Sequence, residues 1–121
     1  MTIVAIVALV LLALEAVRVG VPNARTTGAT WHRMRARGLR APVMRAVGIA
    51  QLVGAALLLA GTLLAPLGIA GALVVLGIAG WQVSKHLGYG DYGNPDTRGP
   101  ALEPFAHILF ALVVIGILLL I

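Results

Sequence analysis

Five polar or ionisable side chains lie within or beside the apolar stretches of this sequence: Glu15, Gln51, Gln82, His86 and His107. Histidine and glutamate often transfer protons, and glutamine both donates and accepts hydrogen bonds. Each of these groups is costly in apolar surroundings unless it finds a partner. Their types therefore predict either a mutually bonded polar cluster or a site that holds a polar ligand.

The apolar stretches around these side chains indicate an integral membrane protein. Apolar residues make up 60% of the 121 residues and charged residues only 11%, with a mean hydropathy of +1.02, whereas soluble domains draw about a quarter of their residues from the charged types. Stretches of ~20 apolar residues match the ~30 Å hydrocarbon core of a bilayer. We predict a single all-α membrane domain, residues 1–121, folded as a four-helix up-down bundle with helices at about 2–19, 46–65, 67–86 and 104–121.

The segments between these helices contain the residues that typically interrupt helices. Residues 20–28 are expected to form a loop because of their Gly, Pro and Asn content, and residues 88–100 to be irregular for the same reason. Pro66 is expected to end the second helix. The first apolar run is expected to be a retained helix, since its first positive residue, Arg18, follows the run rather than preceding it as in a secretory signal.

Arginine is concentrated between the first and second helices. Residues 31–40 predict a short surface helix or ordered loop, with Trp31 and Met34 in the membrane interface. Four arginines are expected to contact anionic lipid headgroups: Arg33, Arg35, Arg37 and Arg40. Because membrane lipids and topology account for the net charge of +5, nucleic acid is not expected as a partner.

The distribution of positive charge predicts the orientation of the bundle. All nine Lys and Arg residues lie in the first and third connections or at the adjoining helix ends, which makes that side cytoplasmic and places both termini outside. In this arrangement the five polar side chains share a similar depth near the cytoplasmic end. We expect Glu15, Gln51, His86 and His107 to converge there, with Trp81 as a further ligand-binding candidate.

Several occupants of such a pocket stay open. A quinone needs hydrogen bonds to its carbonyl groups, an apolar slot and a proton source, and a lipid headgroup needs a polar pocket of similar depth. His86 or His107 could instead ligate haem iron. The alternative is a purely structural role, in which Glu15 pairs with Arg18 and Glu103 pairs with His107.

Small residues recur at helical spacing and predict close helix contacts. Such residues allow the backbones of membrane helices to approach each other. The predicted contact positions are Ala50, Gly54, Gly61, Gly71, Gly77 and Gly80. The absence of cysteine excludes disulfides, thiolate metal sites and cysteine nucleophiles, and no metal site is predicted.

Three segments resemble the DoxX-like family of small four-helix membrane proteins. They are residues 38–57 (GLRAPVMRAVGIAQLVGAAL), the hairpin at 66–73 (PLGIAGAL) and residues 85–88 (KHLG). The resemblance covers about residues 38–121, with Gln51 where the family usually has glutamate. It implies a bacterial inner-membrane accessory subunit linked to a quinone-dependent or thiol-related oxidoreductase system.

Three functional hypotheses follow. The first is this accessory subunit, non-catalytic itself, with a quinone or lipid headgroup bound at its cytoplasmic side. The second is a purely structural subunit whose glycine faces pack on a larger membrane complex. The third is a small transporter that works as an oligomer. A homo-oligomer or a complex with other membrane proteins is expected in each case.

Overall fold

The structure, a computed structural model, describes residues 1–121 and contains helices but no strand. The helices are α1 (Ile3–Arg25), α2 (Ala29–Arg35), α3 (Ala41–Ala60), α4 (Ala65–Tyr89), α5 (Arg98–Ala101) and α6 (Glu103–Leu120), with a 3₁₀ turn at Asp91–Gly93. Four helices are long and apolar enough to cross a membrane: α1, α3, α4 and the segment formed by α5 and α6. The predicted all-helical fold with four such helices is confirmed.

The four long helices pack around one apolar core. α1 packs on α3, α3 on α4 and α4 on α6, while α1 and α6 make a looser contact that closes the ring. Leu9, Leu12, Leu58 and Val114 are fully buried between them. The outer surface is also apolar, which is typical of helices that face lipid. The seam between α1 and α6 is therefore the most open side of the bundle.

α1 and α3 approach each other at a glycine. A Cβ atom on Gly48 would overlap the backbone of Ala24 and Asn23, so no side chain fits at this position. Gly20 of α1 lies at the same contact, close to the carbonyl of Gly48. The two helices can cross this closely because Gly20 and Gly48 have no side chain.

α3 and α4 meet at further glycines. A Cβ atom on Gly61 would overlap the backbone of Gly68, and one on Gly71 would lie 2.7 Å from the carbonyl oxygen of Gly54. Gly54 in turn packs against Val74. Three of the six predicted contact positions, Gly54, Gly61 and Gly71, thus lie where these helices touch.

The other three predicted contact positions are placed differently. Gly77 and Gly80 are exposed, and a Cβ atom on either would have no neighbour within 4 Å. They lie on the outward face of α4 and contact no other helix of this chain, so their role in helix contacts stays a prediction. Ala50 is half-buried and lines a shallow apolar groove between α3 and α4.

α1 is longer than predicted, because residues 20–25 are helical rather than loop. Pro22 lies inside the helix, where its turn packs against α3 through Gly20 and Gly48. This tertiary contact outweighs the local tendency of Pro and Gly to break a helix. The helix ends at Thr26, which adopts a left-handed conformation (φ 53°) and donates its backbone N–H to Asn23.

Three other prolines lie in the first turns of long helices, namely Pro42, Pro66 and Pro104. Pro42 lies in the first turn of α3, which starts at Ala41 rather than near residue 46, and Pro66 lies in the first turn of α4. The prediction that Pro66 ends the second helix is therefore wrong. Proline suits the first turn because the N–H that it lacks has no partner within the helix there.

The two polar connections are more ordered than predicted. Residues 88–100 include the end of α4, the 3₁₀ turn and part of α5, so the expectation of an irregular loop is wrong. The predicted short helix in residues 31–40 is present as α2. Its Trp31 and Met34 are buried against Met44, so these side chains pack on the protein rather than on lipid.

Candidate functional site

A cluster of four ionisable side chains bridges the seam between α1 and α6, and we call it the Glu15 cluster: Glu15, Arg18, Glu103 and His107. Arg18 donates through Nε to Glu15 Oε2 (2.8 Å) and through Nη2 to both Glu15 Oε1 (2.5 Å) and Glu103 Oε1 (2.7 Å). His107 Nε2 lies 2.8 Å from Glu15 Oε1. One guanidinium and one imidazole thus hold two carboxylates.

Helical spacing brings these four residues together. Glu15 and Arg18 are three residues apart on α1, and Glu103 and His107 are four apart at the start of α6, so each pair shares one helix face. The chain order places the end of α1 beside the start of α6. His107 is the most buried of the four, with 10% of its side chain exposed, whereas Arg18 reaches the surface at 61%.

A lateral groove of about 470 Å³ runs along the same seam. Its walls are apolar and include Leu11, Leu14 and Phe110, while all four members of the Glu15 cluster line its polar end. Leu11 and Leu14 are exposed on the outer surface of the bundle. The groove therefore joins an apolar outer face to a compact hydrogen-bonding group.

A buried amide pair lies at the contact of α1 and α3. Asn23 Nδ2 donates to Gln51 Oε1 at 2.9 Å, and both residues are at most 4% exposed. The pair gives Gln51 a hydrogen-bond partner, but that partner is Asn23 and not one of the three residues expected to converge with Gln51.

Two small interior cavities adjoin the Glu15 cluster. The first cavity is lined by Glu15, Gln51, Gln82 and His107 together with apolar side chains, and its volume is about 10 Å³. The second cavity has a volume of about 20 Å³ and is lined by mostly polar residues, including His86, Gln82 and His107. Glu15, Gln51 and His107 thus line the first cavity together. His86 does not line it and shares only the second cavity with His107.

A second charged group lies at the same end of the bundle, and we call it the Asp91 cluster: Arg37, His86 and Asp91. Arg37 donates to Asp91 Oδ2, and His86 Nδ1 lies 2.5 Å from the same oxygen. Asp91 is buried, with 2% of its side chain exposed. The hydrogen bond from Arg37 is the main reason that the pKa of Asp91 lies well below its usual value, and the same bond raises the pKa of Arg37.

Aromatic rings surround this second group. Arg37 stacks over the ring of Tyr89, with 4.9 Å between its Cζ and the ring centroid. Tyr92 lies edge-on to His86 and donates its hydroxyl to the carbonyl of Ala101 at 2.9 Å. Its partial burial raises its pKa. The Asp91 cluster therefore ties the α2–α3 connection to the α4–α6 connection.

The predicted headgroup arginines and Trp81 lie apart from the Glu15 cluster. Arg35 and Arg40 are exposed, and Arg33 donates to Thr30 of its own helix. Arg37 differs from the expectation because its guanidinium is bonded to Asp91. Trp81 lines the apolar groove between α3 and α4, with Lys85 over its ring.

Sequence reasoning missed Asn23 and Asp91 as members of polar contacts. Asn23 falls in a segment whose composition predicts a loop, and Asp91 falls among glycines that suggest an irregular one. Asn23 has no short-range polar partner, whereas Asp91 contacts His86, which lies five residues before it in the chain. Only the register between α1 and α3, and between the two polar connections, brings them to Gln51 and Arg37.

The Glu15 cluster also has the donor types of a metal site. Ligand atoms of Glu15, Glu103 and His107 lie within 4.8 Å of one another. Arg18 already bonds to both carboxylates and supplies the positive charge that a cation would bring. The arrangement is therefore better suited to hydrogen bonding than to metal coordination.

No family model, curated protein or solved structure matches this chain.

Proposed function

We propose that this chain is a multi-pass protein of the bacterial inner membrane that binds a neutral, lipid-soluble molecule of the quinone type in the lateral groove. The observation that carries the proposal is the Glu15 cluster at the polar end of an apolar groove open on the outer surface. A quinone likewise has a polar and an apolar part, namely a ring whose carbonyl groups accept hydrogen bonds and an apolar tail. Binding sites for such molecules are mostly apolar with a few converging polar groups.

Charge balance favours a neutral ligand over an anionic one. Arg18 carries the only permanent positive charge in the cluster, and it is already shared between the carboxylates of Glu15 and Glu103. An anionic headgroup beside it would add a third negative charge, which two neighbouring carboxylates disfavour. A neutral carbonyl can accept a hydrogen bond from Arg18 or from the imidazole of His107 without that penalty.

The residues of the cluster have distinct tasks under this proposal. Arg18 orients the ligand at the groove's polar end, and His107 holds a proton near it. Glu15 fixes the imidazole through its bond to Nε2 and stabilises the ring when it is charged. A bound quinone supplies the redox chemistry, which consumes or releases protons; the protein supplies the polar environment.

An accessory role in an oxidoreductase system extends this proposal. It is supported by the resemblance of residues 38–57, 66–73 and 85–88 to the DoxX-like family. Because the chain contains no cysteine, any thiol chemistry in such a system belongs to a partner protein. Purification from native membranes in mild detergent should recover a redox partner protein, and solvent extraction of the same preparation should yield quinone. A preparation with neither would contradict this role.

A structural role in a larger complex is the second candidate. It is favoured by Gly77 and Gly80, whose exposed positions on α4 leave room for a close backbone approach by another membrane helix. Under this alternative, the chain purifies with a larger membrane complex but without a bound ligand.

Ligand binding should depend on Arg18. In purified protein, Arg18→Ala is expected to weaken the binding of decylubiquinone by about 10- to 100-fold, since hydrogen bonds from charged groups contribute roughly 1.5–3 kcal/mol. Equilibrium dialysis measures the change, and Arg35→Ala, which removes an exposed arginine elsewhere, is the matched control. Equal affinities for the two variants, or displacement of decylubiquinone by phosphatidylglycerol, would overturn the proposal.

The proposed orientation places the cation-rich end in the cytoplasm, following the positive-inside rule. Single cysteines can test it without background because the chain has none. Leu63→Cys, at a position 86% exposed in the turn between α3 and α4, should react in intact cells with a maleimide that does not cross membranes. Asp96→Cys should react only after the cells are opened, and the reverse pattern would contradict the orientation.

A further inference from the structure

Gln82 is a buried amide without a protein partner. The residue is 8% exposed and lies on the inward face of α4, yet its side chain makes no hydrogen bond to the protein. Its amide atoms are not sealed off, since no fully enclosed side-chain nitrogen or oxygen is left unbonded. A polar group in this position is satisfied when water reaches it.

The two interior cavities provide room for that water. Gln82 and His107 line both of them, so the cavities adjoin at these two side chains. Their volumes are about 10 and about 20 Å³, and a polar cavity of roughly 10–15 Å³ on this measure holds one water molecule. Gln51 and His86 supply further hydrogen-bonding groups, one in each cavity.

The second cavity leads to the protein surface. It shares Asn23, Thr30 and Glu103 with an open groove of about 250 Å³, which is also lined by Arg18 and Arg33. Asn23 donates a hydrogen bond to Gln51 through its amide nitrogen, so the side-chain oxygen of Asn23 is free to accept a hydrogen bond from water. Polar groups therefore follow one another from the surface groove to His107.

We propose that water in these cavities forms a proton path from the surface groove beside Thr30 to His107, with Gln82 as its central hydrogen-bonding residue. Each step breaks one O–H or N–H bond and forms another, so one proton moves inward and no electron is required. When His107 releases a proton to the groove, it takes one from the cavity water, which is reprotonated from the surface. The purpose of the path rests on the proposed function, because the released proton goes to the ligand in the lateral groove.

The path can be tested in the protein without ligand. In nanodiscs containing protein with ¹⁵N-labelled histidine, exchange of the His107 ring N–H with water is measured by NMR. Gln82→Leu should slow this exchange by about tenfold, because the water loses the amide that holds it. His32, exposed on α2, should exchange equally fast in both samples and serves as the internal reference.

Matched variants separate the path from general destabilisation. Gln82→Met keeps the length of the side chain without its amide and should slow exchange as Gln82→Leu does, so it replaces that variant if the latter does not fold. Ser84→Leu alters an exposed residue of the same helix and should have no effect. Unchanged exchange at His107 in both Gln82 variants would overturn the path.

Binding of decylubiquinone distinguishes this proposal from the one on which it rests. Gln82 does not line the lateral groove, so Gln82→Leu should bind this probe as the wild type does. If the wild type fails to bind it while His107 exchange still depends on Gln82, the proposed function fails and the path remains. If binding is normal and exchange is insensitive to Gln82, the path alone fails.

Discussion

Gly48→Ala is expected to cause a large loss of folded protein, although it adds a single methyl group. The added Cβ would overlap the backbone of Ala24 and Asn23, and a backbone cannot turn aside as a flexible side chain can. Relief requires α1 to move away from α3. Overpacking of this kind typically costs about 1–3 kcal/mol and sometimes more.

The loss of stability is larger because the same helix crossing positions a buried hydrogen bond. Separating α1 from α3 also strains the buried bond between Asn23 and Gln51, and an unpaired buried amide costs about 1–3 kcal/mol. The yield of monodisperse protein in detergent and the thermal unfolding midpoint measure the effect.

Gly77→Ala is the matched control for this substitution. It introduces the same methyl group in a helix where no atom lies within 4 Å, and alanine favours a helix over glycine by about 0.5–1 kcal/mol. A small gain in stability is therefore expected. Similar losses for both variants would show that the α1–α3 crossing does not depend on Gly48.

The four helices that are long and apolar enough to cross a membrane could be predicted from sequence, but their ends could not. Length and hydropathy are properties of a segment by itself, so four runs of ~20 apolar residues are sufficient to predict four helices. The ends depend on which neighbour covers the polar backbone. Pro22 continues α1 because that turn packs on α3. Pro42 lies inside the first turn of α3, which was expected to start near residue 46, and Pro66 lies in the first turn of α4, although it was expected to end the preceding helix.

The same distinction applies to the polar sites, where pairs within one helix can be predicted and contacts between helices cannot. Helical spacing brings Glu15 beside Arg18 and Glu103 beside His107, and both pairings are foreseeable from the chain alone. The contact between the pairs depends on how closely α1 approaches α6. The ion pair between Arg37 and Asp91 could not be foreseen, because the two residues are 54 positions apart and meet only where separate connections fold over each other.

Asp91→Asn is expected to destabilise the cation-rich end of the bundle by about 3 kcal/mol, the lower part of the range for removing one partner of a buried ion pair. The lower part applies because Arg37 remains 26% exposed and can be partly solvated. Asparagine keeps the shape of the side chain but removes the charge that both Arg37 and His86 contact. The free energy of unfolding in detergent, measured by denaturant titration near neutral pH, tests this expectation.

Asp96→Asn provides the control, since Asp96 lies in the same connection but its side chain is exposed. Removing its charge should change the free energy of unfolding by no more than about 0.5 kcal/mol. If the two variants are equally stable, Asp91 does not hold the two connections together.

The effect of Asp91→Asn should also depend on pH in a defined direction. The bond from Arg37 lowers the pKa of Asp91 in the folded protein, whereas an unfolded aspartate titrates near about pH 3.9. A depressed folded pKa stabilises the protein fully above the unfolded value, and this contribution is lost as the pH falls through the interval between the two. The part of the stability difference between wild type and Asp91→Asn that comes from Arg37 should therefore be constant above about pH 5 and should shrink below about pH 4. A difference that stays the same from neutral pH into this acid range would mean that the carboxylate of Asp91 gains no stability from Arg37, and that the variant acts through side-chain packing alone.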